Sequence, residues 1–152
     1  MFLFLCGCGK TSEENIVKKF QQKIEKNDAY ILKGNMSILS NEDTFNYSVE
    51  ASKSKDGYYK VSLVNKTNDH QQVILKNSDG VYVVTPDLNK SFKFQSDWPN
   101  NGSQSYLLDV LLSDVLNDDN VHVEKGDNKY IQCRVNYPNN NTLYSEKIYL
   151  DD

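Results

Sequence analysis

The fold is decided by two neighbouring stretches of the chain, Tyr30-Ile-Leu-Lys-Gly-Asn-Met-Ser-Ile38 and Phe45-Asn-Tyr-Ser-Val-Glu-Ala51. Apolar and polar residues alternate along both. Because successive side chains of a β-strand point to opposite faces, this alternation predicts two strands that are each buried on one face. Shorter runs of the same kind follow at residues 59–63, 73–75 and 81–84. Five such runs in succession predict an antiparallel meander rather than a parallel nucleotide-binding sheet.

Short polar turns separate the predicted strands. Two of them contain the dipeptides Asp56-Gly57 and Asp79-Gly80. Such dipeptides are favoured where both central residues of a hairpin turn have positive φ. We therefore expect tight hairpins at both places.

Two helices and a second group of strands surround the meander. Residues 11–27 begin with the capping-box pattern Thr11-Ser-Glu-Glu14 and carry apolar residues at helical spacing. Residues 106–115, after a possible cap at Asn101, predict a second helix that is apolar over most of its surface and must be enclosed. Strands resume around residues 122–124, 130–137 and 143–150. The order predicts an α+β fold, a curved antiparallel sheet wrapped around the buried second helix, with an N-terminal amphipathic helix.

Composition limits the classes of partner. The 152 residues suit one domain with a real core. A net charge of −4 disfavours nucleic acid, because phosphate binding needs clustered cations. Arg134 is the only arginine, so bidentate recognition of phosphate is nearly excluded. Cys133 is the only cysteine of the folded body, where we expect it to act as a small apolar residue.

The N-terminus contains Leu5-Cys6-Gly7-Cys8, which has the form of a bacterial lipobox. Signal peptidase II cleaves before a lipidated cysteine that follows a small residue and, three places upstream, a branched apolar one. On this interpretation residues 1–8 are a residual signal peptide and lipobox, and Cys8 carries a diacylglyceryl membrane anchor. An incidental apolar N-terminus with two free cysteines is the alternative. A full signal has a charged segment and about 7–15 apolar residues, so the expected signal begins upstream of Met1.

Two other motifs in this region are incomplete. Gly9-Lys10-Thr11 ends like a phosphate-binding loop, but the motif requires glycine at position 4, where Phe4 stands. Cys6 and Cys8 could begin a metal site, yet structural zinc needs four ligands at fixed spacings. We expect neither a metal nor a cofactor.

Residues with catalytic potential are few and scattered. His70 lies in a polar turn and His122 on a strand, and solvated side chains are expected at both places. An acidic group near the second helix is either a solvated rim or a calcium loop, and it lacks the regular oxygen spacing of the latter. Its members are Asp118, Asp119, Glu124 and Asp127. We expect no enzyme activity.

A binding surface is the remaining candidate site. Apolar residues on one face of the sheet could line a concave pocket for a ligand such as an acyl chain. The alternatives are that they pack as core against the second helix, or that a partner meets the rim or an open sheet edge. The candidate ligand-binding residues are Tyr30, Leu32, Met36, Phe45, Tyr47, Tyr59, Phe92, Phe94 and Trp98.

A family resemblance adds to this interpretation. The segment Phe92-Lys-Phe-Gln-Ser-Asp-Trp-Pro-Asn-Asn-Gly-Ser-Gln-Ser-Tyr-Leu-Leu108, preceded by Val81-Tyr-Val-Val-Thr-Pro86, resembles the LolA-like lipoproteins of Firmicutes, known as outer membrane lipoprotein-sorting proteins. These include the GerS-like germination lipoproteins of clostridia. The resemblance implies an incomplete antiparallel barrel covered by helices, a LolA-like domain over residues 11–152. The last strands of such a domain would follow Asp152.

The resemblance also implies a role. GerS-like members are non-enzymatic lipoproteins that support a cell-wall amidase of the CwlD type, an N-acetylmuramoyl-L-alanine amidase, in cortex modification and germination. The expected location is extracytoplasmic, anchored to the cell membrane or spore envelope through Cys8. The alternative is a lipid or lipoprotein carrier that holds acyl chains on the concave face.

Overall fold

The computed structural model describes residues 10–41, 43–95, 98, 104–137 and 140–150, with side chains from residue 13 onward. Two helices and nine strands follow in the order α1, β1 to β6, α2, β7 to β9. The helices are α1 (Lys10–Glu25) and α2 (Leu108–Asn117). The strands are β1 (Tyr30–Ser40), β2 (Asp43–Lys53), β3 (Tyr59–Asn65), β4 (Gln71–Asn77), β5 (Gly80–Thr85), β6 (Lys90–Phe94), β7 (His122–Glu124), β8 (Tyr130–Arg134) and β9 (Ser145–Tyr149).

Strands β1 to β6 form one antiparallel sheet, the large sheet, in sequence order. Residues directly opposite each other in such a sheet share a face. One row runs through Leu32, Ala51, Val61, Ile74, Val83 and Phe92. The alternation of the sequence therefore places an apolar inner face across all six strands, and the predicted α+β class and antiparallel meander are confirmed.

Strands β7 to β9 form a separate three-stranded antiparallel sheet, the small sheet, with β9 at one edge. The sequence predicted these strands as a continuation of one curved sheet, which is wrong. Within the described residues β6 pairs only with β5 and β1 only with β2, so the large sheet does not close into a barrel.

Two apolar cores lie under the two sheets, and α2 contacts both. The large core contains Val61 and Leu107, both fully buried, with Val110 of α2 packed against it. The small core contains Ile131, also fully buried, with Leu112 and Val115 of α2. Helix α1 packs Phe20 into the small core. Helix α2 is only partly covered, since Leu116 is 49% exposed, so the expectation of a fully enclosed helix is wrong.

Element ends differ from the predictions for local reasons. Helix α1 already includes Lys10, so Thr11 lies inside the helix rather than at its cap. Helix α2 starts at Leu108, after an extended Leu107 that makes no side-chain cap, while Asn101 lies outside the described residues. None of the described helices is long and apolar enough to cross a membrane.

Neither Asp-Gly turn has the predicted positive φ at both of its residues. Only Gly57 and Gly80 have positive φ there, at 76° and 134°. Gly80 pairs with Asn77 across the hairpin, so the central turn residues are Ser78 and Asp79. Left-handed backbone at other turns is carried by polar residues instead, such as Asn41 and Asn89.

Candidate binding groove between two sheet edges

A groove of about 820 Å³ lies between the open edge of the large sheet and that of the small sheet. Strand β1 forms one wall, and β9 with the following Leu150 forms the other. The remaining walls come from α1 and α2. The groove therefore exists because two sheets end side by side, and within the described part of the chain each edge strand has a neighbour on one side only.

The groove has an apolar lining and a basic rim. Its apolar side chains include those of Phe20, Ile24, Leu32, Met36, Leu111 and Ile148. Lys23 and Lys33 stand at the rim, and no carboxylate occurs among the described lining residues, although the chain carries a net charge of −4. Lys33 also pairs with Glu50 at 3.3 Å, with both side chains more than half exposed. The site thus combines apolar contact area with positive charge.

Gly34 leaves space at the wall that β1 contributes. The residue lines the groove between Leu32 and Met36, and it lies opposite Val49 in the register. A Cβ atom built on Gly34 would meet no heavy atom within 4 Å. The wall therefore has room for a Cβ atom at this position.

Asp109 fixes the position of Tyr30 at one end of the groove. Its carboxylate accepts hydrogen bonds from Lys53 Nζ at 2.9 Å, Tyr59 Oη at 3.2 Å and Tyr30 Oη at 3.4 Å. Burial and the Asp109 charge raise the pKa of Tyr30, so its hydroxyl remains a donor. Asp109 therefore fastens the first turn of α2 to three strands of the large sheet.

Tyr106 forms another part of the lining. Burial raises the pKa of Tyr106 to about 12, so its hydroxyl is neutral at ordinary pH. The aromatic ring packs against the large core. Its hydroxyl accepts a hydrogen bond from the Trp98 indole N–H, which ties this part of the lining to the large core.

The opposite side of α2 meets the small sheet through a second carboxylate. Burial raises the pKa of Asp114 to about 6. Burial, followed by the charge of Asp114, raises the pKa of Glu146 on β9 to about 7. Asp114 Oδ2 and Glu146 Oε2 are buried and accept no hydrogen bond. Two acids thus lie behind the β9 wall of the groove.

Asp118 at the end of α2 is tied to β8. Arg134 donates to Asp118 Oδ1 from Nη2 at 2.6 Å and from Nε at 3.0 Å, and its backbone N–H donates to Oδ2 at 2.8 Å. These hydrogen bonds hold the pKa of Asp118 well below its usual range. The predicted solvated rim is therefore wrong for Asp118, whereas Asp119, Glu124 and Asp127 are exposed.

The structure divides the nine predicted ligand-binding residues into three groups. Tyr30, Leu32 and Met36 line the groove. Tyr47, Tyr59 and Trp98 belong to the large core, where the rings of Tyr59 and Trp98 meet edge to face at 5.5 Å. Phe45, Phe92 and Phe94 are 43%, 56% and 51% exposed. The register puts the eight strand residues on one face, but only three of them reach the groove. The predicted lipidation site, Cys8, lies outside the described residues.

Several lining residues were not predicted. Phe20 and Ile24 were assigned to the apolar stripe of α1, and Ile148 to a strand of the same sheet. These residues line the groove only because the two sheets lie side by side. The apolar pattern along a strand does not record how two sheets are arranged. The signal present in the sequence is the apolar stripe of α1, which indicated that the helix covers something.

The histidines and Cys133 show no catalytic arrangement. His70 Nδ1 lies 2.8 Å from Asp87, and His122 Nε2 lies 3.6 Å from Glu124, with all four side chains exposed. Cys133 is buried, and burial raises the pKa of its thiol, which disfavours the reactive thiolate. The described residues contain no group of three or more acids, histidines or cysteines placed to hold a metal ion.

Comparison with known proteins gives one informative similarity. No family model matches the chain. The chain is 40% identical over 147 residues to the sporulation protein YdcC of Bacillus subtilis (strain 168). The match covers 96% of this chain and 44% of YdcC, so this chain spans less than half the length of that relative.

A solved structure gives a weaker likeness. One chain in the complex of the CwlD amidase from Clostridioides difficile with the GerS lipoprotein is 16% identical and superposes with a TM-score of 0.39. The superposition covers 99% of this chain and 82% of that chain. A likeness this low does not establish a shared fold. The resemblance to LolA-like lipoproteins therefore stays a prediction, and similarity to a sporulation protein is the firmer result.

Proposed function

We propose that this protein is a non-enzymatic accessory factor of sporulation that binds a cell-wall amidase and thereby supports cortex modification and germination. The observation that carries the proposal is the 40% identity to the sporulation protein YdcC over 96% of this chain. An amidase is the candidate partner because the resemblance in residues 81–108 implies one. The same resemblance and the lipobox support a position outside the cell membrane, with an anchor at Cys8.

The groove is the proposed docking site for an extended segment of the amidase. Edge strands β1 and β9 offer backbone groups to an added strand, and such pairing is a common mode of peptide recognition. The apolar lining fits alternate side chains of that segment. Lys23 and Lys33, with no carboxylate among the described lining residues, favour a segment that also carries acidic residues.

The proposal is tested by filling the groove. Gly34→Phe adds a side chain where a Cβ meets no atom within 4 Å, and we expect the variant to keep its fold while the ring occupies the docking site. We expect a loss of amidase affinity of about tenfold or more, which corresponds to about 1.4 kcal/mol or more. Isothermal titration calorimetry of the full-length protein with the amidase of the same organism measures it.

Ser48→Phe is the matched control. Ser48 lies opposite Asn35 in the register, on the outer face, and is exposed. We expect this variant to bind as the unchanged protein does. Equal binding by Gly34→Phe and Ser48→Phe would exclude the groove as the docking site, and no binding by the unchanged protein would exclude the amidase.

The anchor is tested separately. Cys8→Ser removes the thiol that would be lipidated, and the protein should leave the membrane fraction of sporulating cells. Retention of the Cys8→Ser variant in that fraction would contradict the anchor.

An acyl-chain binder is the second candidate, supported by the apolar lining of the 820 Å³ groove. In that case lipid would co-purify with the protein, and native mass spectrometry would detect it. The Gly34→Phe variant would lose that lipid, whereas the Ser48→Phe variant would keep it. If the protein purifies without lipid and still binds the amidase, the amidase-binding function is favoured over the acyl-chain binder.

A further inference from the structure

Two carboxylates lie near each other where α2 and β9 meet the small core. Asp114 lies on α2, and Glu146 lies on β9 directly opposite Cys133 of β8. Asp114 Oδ2 and Glu146 Oε2 are both buried without a hydrogen-bond partner. A buried carboxylate oxygen without a donor is costly when ionised and far less so when protonated.

The groups around the two acids are mostly neutral. Cys133 Sγ donates to Glu146 Oε1 at 3.5 Å, and Ser105 also hydrogen-bonds Glu146. Tyr137 donates to Ser105 Oγ at 2.5 Å. Burial raises the pKa of both Cys133 and Tyr137, which keeps these donors protonated.

No cation is among the described groups that shift the pKa of either acid. The nearby charged groups are Asp118 and Arg134, and they are engaged with each other at 2.6 Å. Helix α1 and strand β7 meet this core through apolar side chains such as Phe20 and Val123. Ionisation of Asp114 and Glu146 would therefore bring two like charges together in an apolar contact.

The sign of the pH dependence follows from the direction of both shifts. The pKa values of Asp114 and Glu146 rise on folding to about 6 and about 7. Their contribution to stability is complete below about pH 4, the usual range of unfolded carboxyls. It declines above that pH and is gone once the pH has risen through 6 and 7, because over this window the folded state binds protons that the unfolded chain has already released.

The consequence reaches the groove. Strand β9 is the edge of the small sheet and is held by β8 on one side only. Ile148, Tyr149 and Leu150 form its wall of the groove. Loosening the packing of β9 in the small core, which it shares with α2, would therefore change the wall that β9 provides.

We propose that Asp114 and Glu146 form a proton-controlled latch, which seats β9 against α2 when the two carboxyls are protonated and releases it when both ionise. The latch is a property of the protein alone. Only its effect on partner docking rests on the function proposed above.

Amide hydrogen exchange of the full chain tests the latch. Between pH 5.5 and pH 8, after correction for the intrinsic exchange rate, protection of residues 145–149 should fall about tenfold or more relative to that of β2. The Asp114→Asn, Glu146→Gln double variant keeps neutral side chains of the same shape, so its protection should not depend on pH. Asp127→Asn, an exposed acid in a loop, is the control and should behave as the unchanged protein does.

A second measurement needs no variant. Carboxyl carbon chemical shifts of the unchanged protein give the midpoint of each acid, and we expect both midpoints above 5. The latch is overturned if both midpoints lie near 4 or if the protection of β9 does not change with pH. It is also overturned if the pH dependence persists in the double variant. If the protein does not bind the amidase while protection and midpoints behave as expected, the proposed docking is contradicted and the latch is not.

Discussion

Two carboxylates of α2 differ in their hydrogen-bond partners, one at the large sheet and one at the small sheet. Asp109 faces the large sheet and accepts three hydrogen bonds, from Lys53, Tyr59 and Tyr30. Asp114, little more than one turn later, faces the small sheet with one buried oxygen that has no donor. The large sheet thus satisfies the carboxylate at the start of α2, whereas the small sheet satisfies Asp118 just past the end of the helix and leaves an oxygen of Asp114 without a donor.

The same contrast appears in how the sheets are built. The large sheet has five consecutive hairpin pairings, between strands of up to 11 residues. The small sheet has two pairings between strands of three to five residues. Short strands with few neighbours open at lower free energy than long central ones. We therefore infer that the large sheet is the fixed wall of the groove and the small sheet the adjustable one.

The largest expected effect comes from emptying the two cores. Leu107 and Ile131 are both 0% exposed, one in each core, and replacement of either by alanine should lower the free energy of unfolding by about 2–5 kcal/mol. Urea unfolding measures the loss. Ile131→Ala should raise hydrogen exchange mainly in β7 to β9, whereas Leu107→Ala should raise it in the large sheet too. Equal exchange patterns in the two variants would show that the sheets open as one unit.

A smaller effect is expected from Asp109. Asp109→Asn removes the charge that Lys53 and the two tyrosines contact, and 37% exposure of the Asp109 side chain reduces the loss to about 1–2 kcal/mol. Thermal unfolding compares it with Asp119→Asn, an exposed control. A variant as stable as the control would mean that polar contacts do not fasten α2 to the large sheet.

The smallest effect on stability is expected at the groove rim. Lys33→Ala breaks the pair with Glu50, and since both side chains are more than half exposed, the change in unfolding free energy should stay within about 0.5 kcal/mol. Amidase binding should nevertheless weaken, and more so at low salt, because the rim charge would meet an acidic segment. If salt has no effect on amidase binding by either the unchanged protein or the Lys33→Ala variant, the docking site is not basic.

Much of the large sheet could be predicted because its pattern is local. Alternation along β1 and β2 fixes which residues face inward, and sequential hairpins fix the strand order. Strand β6 was not predicted, because all five of its residues are exposed and an edge strand with little cover shows a weak apolar signal. The separation of β7 to β9 into a second sheet depends on contacts distant in sequence, which no local period records.

The groove could be predicted only in part for the same reason. Tyr30, Leu32 and Met36 were chosen from the inner face of β1, but Phe92 and Phe94 lie on the same face five strands away and remain exposed. The sequence carries a weak signal for the two acids near β9. Asp114 follows Leu111 and Val110 at spacings of three and four, so it lies on the apolar stripe of its helix. Its partner Glu146 is two residues from the buried Ile148, hence on the same face of β9.

Hydrogen exchange of the full-length protein with and without the amidase tests the central claim most directly, namely that the groove between the two sheet edges is the docking site. Binding should slow exchange in residues 30–40 of β1 and 145–149 of β9 and leave β3 and β4, in the middle of the large sheet, unchanged. Protection confined to β6, or no change at β1 and β9 while the complex forms, would contradict the account.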